Sequence, residues 1–184
     1  MELRRALLFW LLAAVLFAVP VHAREGAPEV SDFSLALGPE WVALPAQFQN
    51  VVASYGKKGT LATFYITARE FEDAKTVRDL RWEDLFAPQF DAIDIRSEGE
   101  TVIGGEKARY CLYALKPGPF KTAMEGKLAA KYMNYVMIRR GKLYSVTFKD
   151  TQDGFSLNYP AFIAAVRSLR FETLPPAVPV QDAA

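Results

Sequence analysis

Between residues 106 and 149 the chain alternates its side chains with a period of two, and no other feature restricts its fold as tightly. Ala108, Tyr110, Leu112 and Ala114 alternate with Arg109, Cys111, Tyr113 and Leu115. Tyr132, Asn134, Val136 and Ile138 share one face of a segment running from Leu128 to Arg139, and Tyr144, Val146 and Phe148 share a face from Leu143 to Lys149. Successive residues of a strand point to opposite faces, so this pattern predicts strands. Gly104-Gly105 and Arg140-Gly141 are tight turns, and Lys116-Pro117-Gly118-Pro119 breaks the run between two of the strands.

The rest of the chain supplies more strands and two helices. Phe33, Leu35 and Leu37 share a face of a half-buried strand from Asp32 to Leu37, which Gly38-Pro39 ends; Trp41, Val42 and Leu44 then pack back. Phe48 to Tyr55 and Thr60 to Ala68 form a hairpin about Gly56-Lys57-Lys58-Gly59, with Ala62, Phe64 and Ile66 on one side. Thr76-Val77-Arg78-Asp79 has capping-box spacing and predicts a helix over 76–87, stopped before Pro88. Ile93 to Ser97 and Thr101 to Ile103 are separate short strand pieces. Phe162, Ile163, Val166 and Leu169 recur at helical spacing, which predicts a closing helix with Pro160 in its first turn. Strands, helix, hairpins and helix in that order define an α+β fold: an antiparallel sheet flanked by helices, not a doubly wound sheet. One domain over residues 32–172 is expected, between a flexible leader at 24–31 and a Pro-rich, extended or disordered tail at 173–184.

The first residues carry an address. Arg4 and Arg5 precede an apolar run from Ala6 to Val21, which Pro20 interrupts before the small residues of Val21-His22-Ala23. This is the pattern of a secretory signal over residues 1–23, with cleavage after Ala23. The run is shorter than the roughly 20 residues a spanning helix needs, so no membrane span is expected after cleavage, an uncleaved anchor being the alternative. No Cys follows the run, which closes the lipoprotein route. A periplasmic or secreted protein is expected. Cleavage removes two arginines and one glutamate from 22 basic and 21 acidic residues, leaving 20 of each. A neutral chain is a poor ligand for nucleic acid, where phosphate neutralisation supplies most of the affinity.

Composition also restricts chemistry. The single histidine, His22, lies inside the signal, so the mature chain has no imidazole for a catalytic triad, a general base or a typical zinc site. Cys111 is the single cysteine; it excludes an intramolecular disulfide and is read as a small buried hydrophobe. No metal, no cofactor and no catalytic residue is expected. Ser54-Tyr55-Gly56-Lys57 matches an acyl-enzyme S-x-x-K, but that chemistry needs one helical turn, and these residues sit on a strand. Asp150 and Asp153-Gly154 fail the calcium-loop pattern because Pro160 stands where a glutamate is required, and they read as a solvated turn. The pairs Glu70/Glu72 and Glu98/Glu100 read as ordinary exposed carboxylates, and no phosphate loop occurs. Two binding surfaces stand out. One is the loop from Lys116 to Gly126, where Phe120 and Met124 are apolar residues among turn formers. The other is Arg139, Arg140 and Lys142 together with Lys57 and Lys58, a basic patch if their turns share one end of the sheet.

Several short motifs, in order, resemble the PsbP-like proteins. Phe33-Ser34-Leu35 with Pro39 and Trp41 is similar to the family's opening, and Ile103-Gly104-Gly105-Glu106-Lys107-Ala108 resembles its turn before a central strand. Gly141 to Thr147 looks like its hairpin return, and Tyr159-Pro160-Ala161-Phe162 through Val166-Arg167-Ser168-Leu169-Arg170-Phe171 resembles its closing helix, with Leu169 in place of the usual Phe. The resemblance covers about residues 31–172 and implies an α-β-α sandwich. It also implies a function in binding or assembly, since the family includes photosynthetic extrinsic subunits, a Ran-binding transport factor and bacterial periplasmic proteins. The function expected is therefore a non-catalytic binding or assembly accessory that contacts another envelope protein. The alternative is a small-molecule or lipid-binding module, with Phe64, Tyr110, Tyr132, Tyr135 and Tyr144 lining a pocket between sheet and helix. A hydrolase relying on a carboxylate or lysine alone ranks last.

Overall fold

Seven strands pair antiparallel into one sheet. In the computed structural model, which describes residues 32–71, 76–87, 89–116 and 130–172, they are β2 (Trp41–Ala43), β3 (Val51–Lys57), β4 (Thr63–Glu70), β5 (Ile93–Ile103), β6 (Glu106–Leu115), β7 (Ala130–Arg139) and β8 (Lys142–Thr151). Across the sheet they run β2-β3-β4-β8-β7-β6-β5. A separate two-stranded ribbon joins β1 (Phe33–Ser34) to β9 (Arg170–Phe171). The expected signal, leader and tail, and the loop bearing Phe120 and Met124, lie outside the described residues. Among the described residues no helix is long and apolar enough to cross a membrane.

The alternation in the sequence becomes two faces. On one, rows of residues run straight across the strands: Phe64, Phe148, Met133 and Leu112; then Ile66, Val146, Tyr135 and Tyr110; then Ala68, Tyr144, Met137 and Ala108. The helix α2 (Phe155–Ser168) covers this face with Phe155, Phe162, Ala165 and Val166, all buried. On the other face a smaller apolar cluster gathers Val77, Leu80 and Trp82 over Ile93, Cys111, Tyr113, Val136 and Leu143. This second layer is thin, a 3-10 turn (Val77–Asp79) followed by the five-residue helix α1 (Trp82–Phe86).

Five sequence expectations change. The strand expected over Asp32 to Leu37 is only Phe33–Ser34, and the hairpin turn expected at residues 56–59 starts later, because Gly56 pairs with Thr63 and the Lys57 N–H donates to the Ala62 carbonyl. The helix expected over 76–87 is split, because Leu80 and Arg81 are extended between the two pieces. Asp79 accepts a hydrogen bond from the Thr76 backbone N–H at 2.9 Å, as the capping motif requires, and another from the Thr76 hydroxyl at 2.9 Å. Arg109 then donates to the Leu80 carbonyl, taking an acceptor that a continuing helix would use. The two strand pieces expected at 93–97 and 101–103 are one eleven-residue strand with a register shift between Ile95 and Ser97. Pro160 is not in the first turn of α2 but in its interior. The helix begins earlier because Gly154 donates to the Thr151 hydroxyl at 3.0 Å and its carbonyl accepts from Leu157 and Asn158, which closes the first turn ahead of the apolar run.

Candidate functional site

One end of the sheet is built from two two-residue turns. Ile103 pairs with Glu106 and Arg139 with Lys142, and the four linking residues have positive φ: Gly104 60°, Gly105 88°, Arg140 52° and Gly141 74°. This is the type I′ geometry that matches strand twist. Glycine adopts it freely, but an arginine at positive φ carries a steric cost of about 1 kcal/mol. Arg140→Asn, which creates the preferred Asn-Gly turn, is expected to raise stability by roughly 0.5–1 kcal/mol, read as a higher urea midpoint.

Beside these turns an open cleft of about 490 Å³ lies between the 3-10 turn and the start of β6. Thr76, Val77 and Arg78 form one wall, Gly105, Glu106 and Lys107 the other, and Ile138 completes the lining. The carboxylates around it are engaged. Glu100 pairs with Arg78 at 3.2 Å, Glu106 with Arg139, and Glu70 with Lys142 at 3.9 Å, while Asp79 holds Thr76. Lys107 and Arg140 are exposed and have no such partner among the described residues.

The two arginines singled out from the sequence therefore differ. Arg139 is largely buried: it pairs with Glu106, donates to the Glu172 carbonyl at 3.1 Å and stacks 4.9 Å from the centre of the Phe171 ring. Arg140 stands free on the turn. Lys57 and Lys58 do not join them, because Glu70 pairs with Lys142 while Thr63 pairs with Lys149 seven residues further along. That places the two groups of basic residues at opposite ends of the sheet, roughly 23 Å apart at about 3.3 Å per residue. The single basic patch considered above does not form. Phe120 and Met124 lie outside the described residues; the strand ends that flank them, Leu115 and Ala130, are at the end opposite the cleft.

The remaining polar residues hold the sandwich together. Glu98 and Glu100 share a face, as their spacing predicts, but there they anchor the thin layer: Glu98 accepts from the Trp82 indole and from Arg109 at 3.0 Å. Asp150 is buried and not a solvated turn residue; it accepts from the Asn158 amide and the Thr151 N–H, each at 2.7 Å, and Asn158 in turn accepts from Lys57 at 2.8 Å. Lys57 thus reaches toward α2 while Ser54 pairs beside Tyr65 on the other face, so no Ser-Lys dyad exists. Among the described residues no group of three or more His, Cys, Asp or Glu is arranged to hold a metal ion.

Behind α1 the sheet carries a neutral polar strip. Asn134 accepts from Ser145 at 2.7 Å and from Thr147 at 3.4 Å, and the Tyr113 and Tyr132 rings stack at 4.8 Å. Burial raises the Tyr65, Tyr113 and Tyr132 hydroxyls above the ordinary tyrosine range, and Tyr65 adds to the rise at the other two. These hydroxyls stay protonated and cannot act as bases near neutrality. Four of the five aromatic residues considered as a pocket lining share the α2 face, with the Tyr110 and Tyr135 rings 6.1 Å apart, and Tyr132 does not join them. Phe64, Tyr135 and Tyr144 are buried under or beside α2, Tyr110 lies over Gly99, and Tyr132 faces the opposite layer. Cys111 is fully buried, as expected, and its thiol is pushed up to about 12, first by burial and then by Glu98, with Arg109 opposing. At pH 8 a disulfide reagent is expected to label it about 100-fold more slowly in the native chain than in urea; equal rates would contradict the buried placement.

Sequence reasoning found Arg140 but missed Lys107 and Arg78. They come from separate segments, and only the docking of the 3-10 turn on β6 joins them.

The sheet with a long helix on one face and short helical turns on the other defines an α-β-α sandwich. It is the PsbP-like fold. No protein-family model and no curated protein matches the chain, but solved structures do. Cyanobacterial PsbP (CyanoP) from Synechocystis sp. PCC 6803 is similar over 83% of this chain and 99% of its own, with TM-score 0.53 and 11% identity. LpqN, involved in cell envelope biogenesis of Mycobacterium tuberculosis, covers 77% of this chain and 83% of its own at TM-score 0.51 and 13% identity. The Saccharomyces cerevisiae Ran-binding protein Mog1p covers 76% and 90% at TM-score 0.51 and 10% identity. At such identities the likeness establishes the fold alone.

Proposed function

We propose that the protein is a non-catalytic binding or assembly accessory of the cell envelope, exported by residues 1–23 and acting through contact with another envelope protein. The observation that carries this reading is the commitment of its chemistry-bearing groups. Glu98, Glu100, Glu106 and Asp150 are each tied to a structural partner, and Cys111 and Tyr113 are buried. Beside them lies a surface with uncommitted cations, the cleft lined by Lys107 with Arg140 on the turn next to it. The similar folds point the same way: one is described as Ran-binding and one as involved in envelope biogenesis. Phe120 and Met124 remain proposed contacts on a second surface.

The test is native extraction. Mildly crosslinked envelope fractions should contain the chain, beginning at Arg24, in a discrete complex with one other protein. Replacing Phe120 and Met124 by Ser should weaken that complex without lowering the melting temperature. Recovery of the chain as a free cytoplasmic protein would overturn the proposal.

A further inference from the structure

The cleft combines an apolar floor with charged walls. Val77 and Ile138 belong to the apolar cluster beneath it and give it a water-excluding floor. Its charged lining is Arg78, Lys107 and Glu106, with Arg140 on the adjoining turn; Glu106 is already paired with Arg139, and Arg78 with Glu100. The two cations left over, Lys107 and Arg140, bracket Ile138: Lys107 shares the cleft lining with it, and Arg140 lies two residues beyond it on the turn. Arg140 also occupies a backbone conformation that favours Asn or Gly, so the turn carries a charge its own geometry does not call for.

We propose that this cleft docks an extended acidic segment of the partner protein, with carboxylates on Lys107 and Arg140 and an aliphatic side chain on Val77 and Ile138. The proposal deepens the accessory reading and rests on it. Charge complementarity selects the occupant: the cleft lining offers Lys107 unpaired beside an apolar floor, Arg140 stands free on the adjoining turn, and the one lining carboxylate, Glu106, is already paired with Arg139. Such rim charges set partner choice and association rate more than they set affinity.

The experiment uses the mature chain and a fluorescein-labelled synthetic peptide of alternating aspartate and leucine, followed by anisotropy. Saturable binding that weakens with salt is expected. Lys107→Glu should reduce affinity about tenfold and Arg140→Asn about threefold. Lys58→Ala, at the other end of the sheet, should change nothing. Melting curves of each variant confirm folding, and Arg140→Asn should melt higher while binding less, a split that a structural role would not produce. The proposal is overturned if the wild type does not bind, if Lys107→Glu binds as the wild type does, or if an asparagine-leucine peptide competes equally. Binding to phosphatidylglycerol vesicles with none to the peptide would overturn it as well. The native complex separates the two claims. If the Lys107→Glu chain still enters it, docking is elsewhere and the accessory reading stands; if the wild type forms no complex, the accessory reading itself falls.

Discussion

Replacing Phe162 by alanine is expected to lower the unfolding free energy by about 3–5 kcal/mol. Phe162 is fully buried at the centre of α2. Its ring stacks on Phe148 at 4.7 Å and 12°, and it meets Phe64 at 5.5 Å, Tyr159 at 6.0 Å and Tyr135 at 6.1 Å. The side chain therefore joins β4, β7 and β8 to the helix, and truncation opens a cavity ringed by aromatics that cannot collapse without leaving their own contacts. Phe162→Leu keeps most of the volume and should lose less than half as much. Urea unfolding followed by tyrosine and tryptophan fluorescence measures both. A change below about 1 kcal/mol for the alanine variant would mean that α2 does not close this face.

Asp150→Ala is expected to cost about 2–4 kcal/mol, for a different reason. The carboxylate is buried against Gly154, where an added Cβ would sit 2.8 Å from both of its oxygens. It holds Asn158 in the second turn of α2 and the Thr151 N–H before it, and Asn158 passes the connection to Lys57 on β3. Removing the carboxylate strands a buried amide and takes a negative charge from the helix N-terminus, which favours one. Asp150→Asn restores the shape and one acceptor, and should recover part of the loss. Equal stability of the alanine variant would show Asp150 to be the solvated turn residue that its sequence context suggested.

The fold was legible where one physical pattern dominated. Strands β6, β7 and β8 are buried on both faces over much of their length, and the sets their alternation defines each share a face: Tyr132, Val136 and Ile138 under the thin layer, Tyr144, Val146 and Phe148 under α2. The order of short motifs pointed to the PsbP-like fold, because those motifs are packing and turn chemistry, which the fold itself demands. Strand β5 looked broken at Glu98-Gly99-Glu100 for a reason outside the strand. Its carboxylates serve Trp82, Arg109 and Arg78, and the Tyr110 ring fills the place of a side chain at Gly99. Local pattern could not show that. The expected helix over 76–87 failed likewise, when tertiary contacts to Leu80 overrode its propensity. Of the cleft, the sequence exposed only Arg140, since Lys107 acquires its meaning from register and from a neighbour on another segment.

The most direct test of the protein as a binding accessory is photo-crosslinking in living cells from a benzophenone amino acid placed at position 107 and, separately, at position 58. A discrete adduct with one envelope protein from position 107, and none from position 58, is the predicted result. No adduct from either position, or the same adducts from both, would contradict a partner seated at the turn end of the sheet.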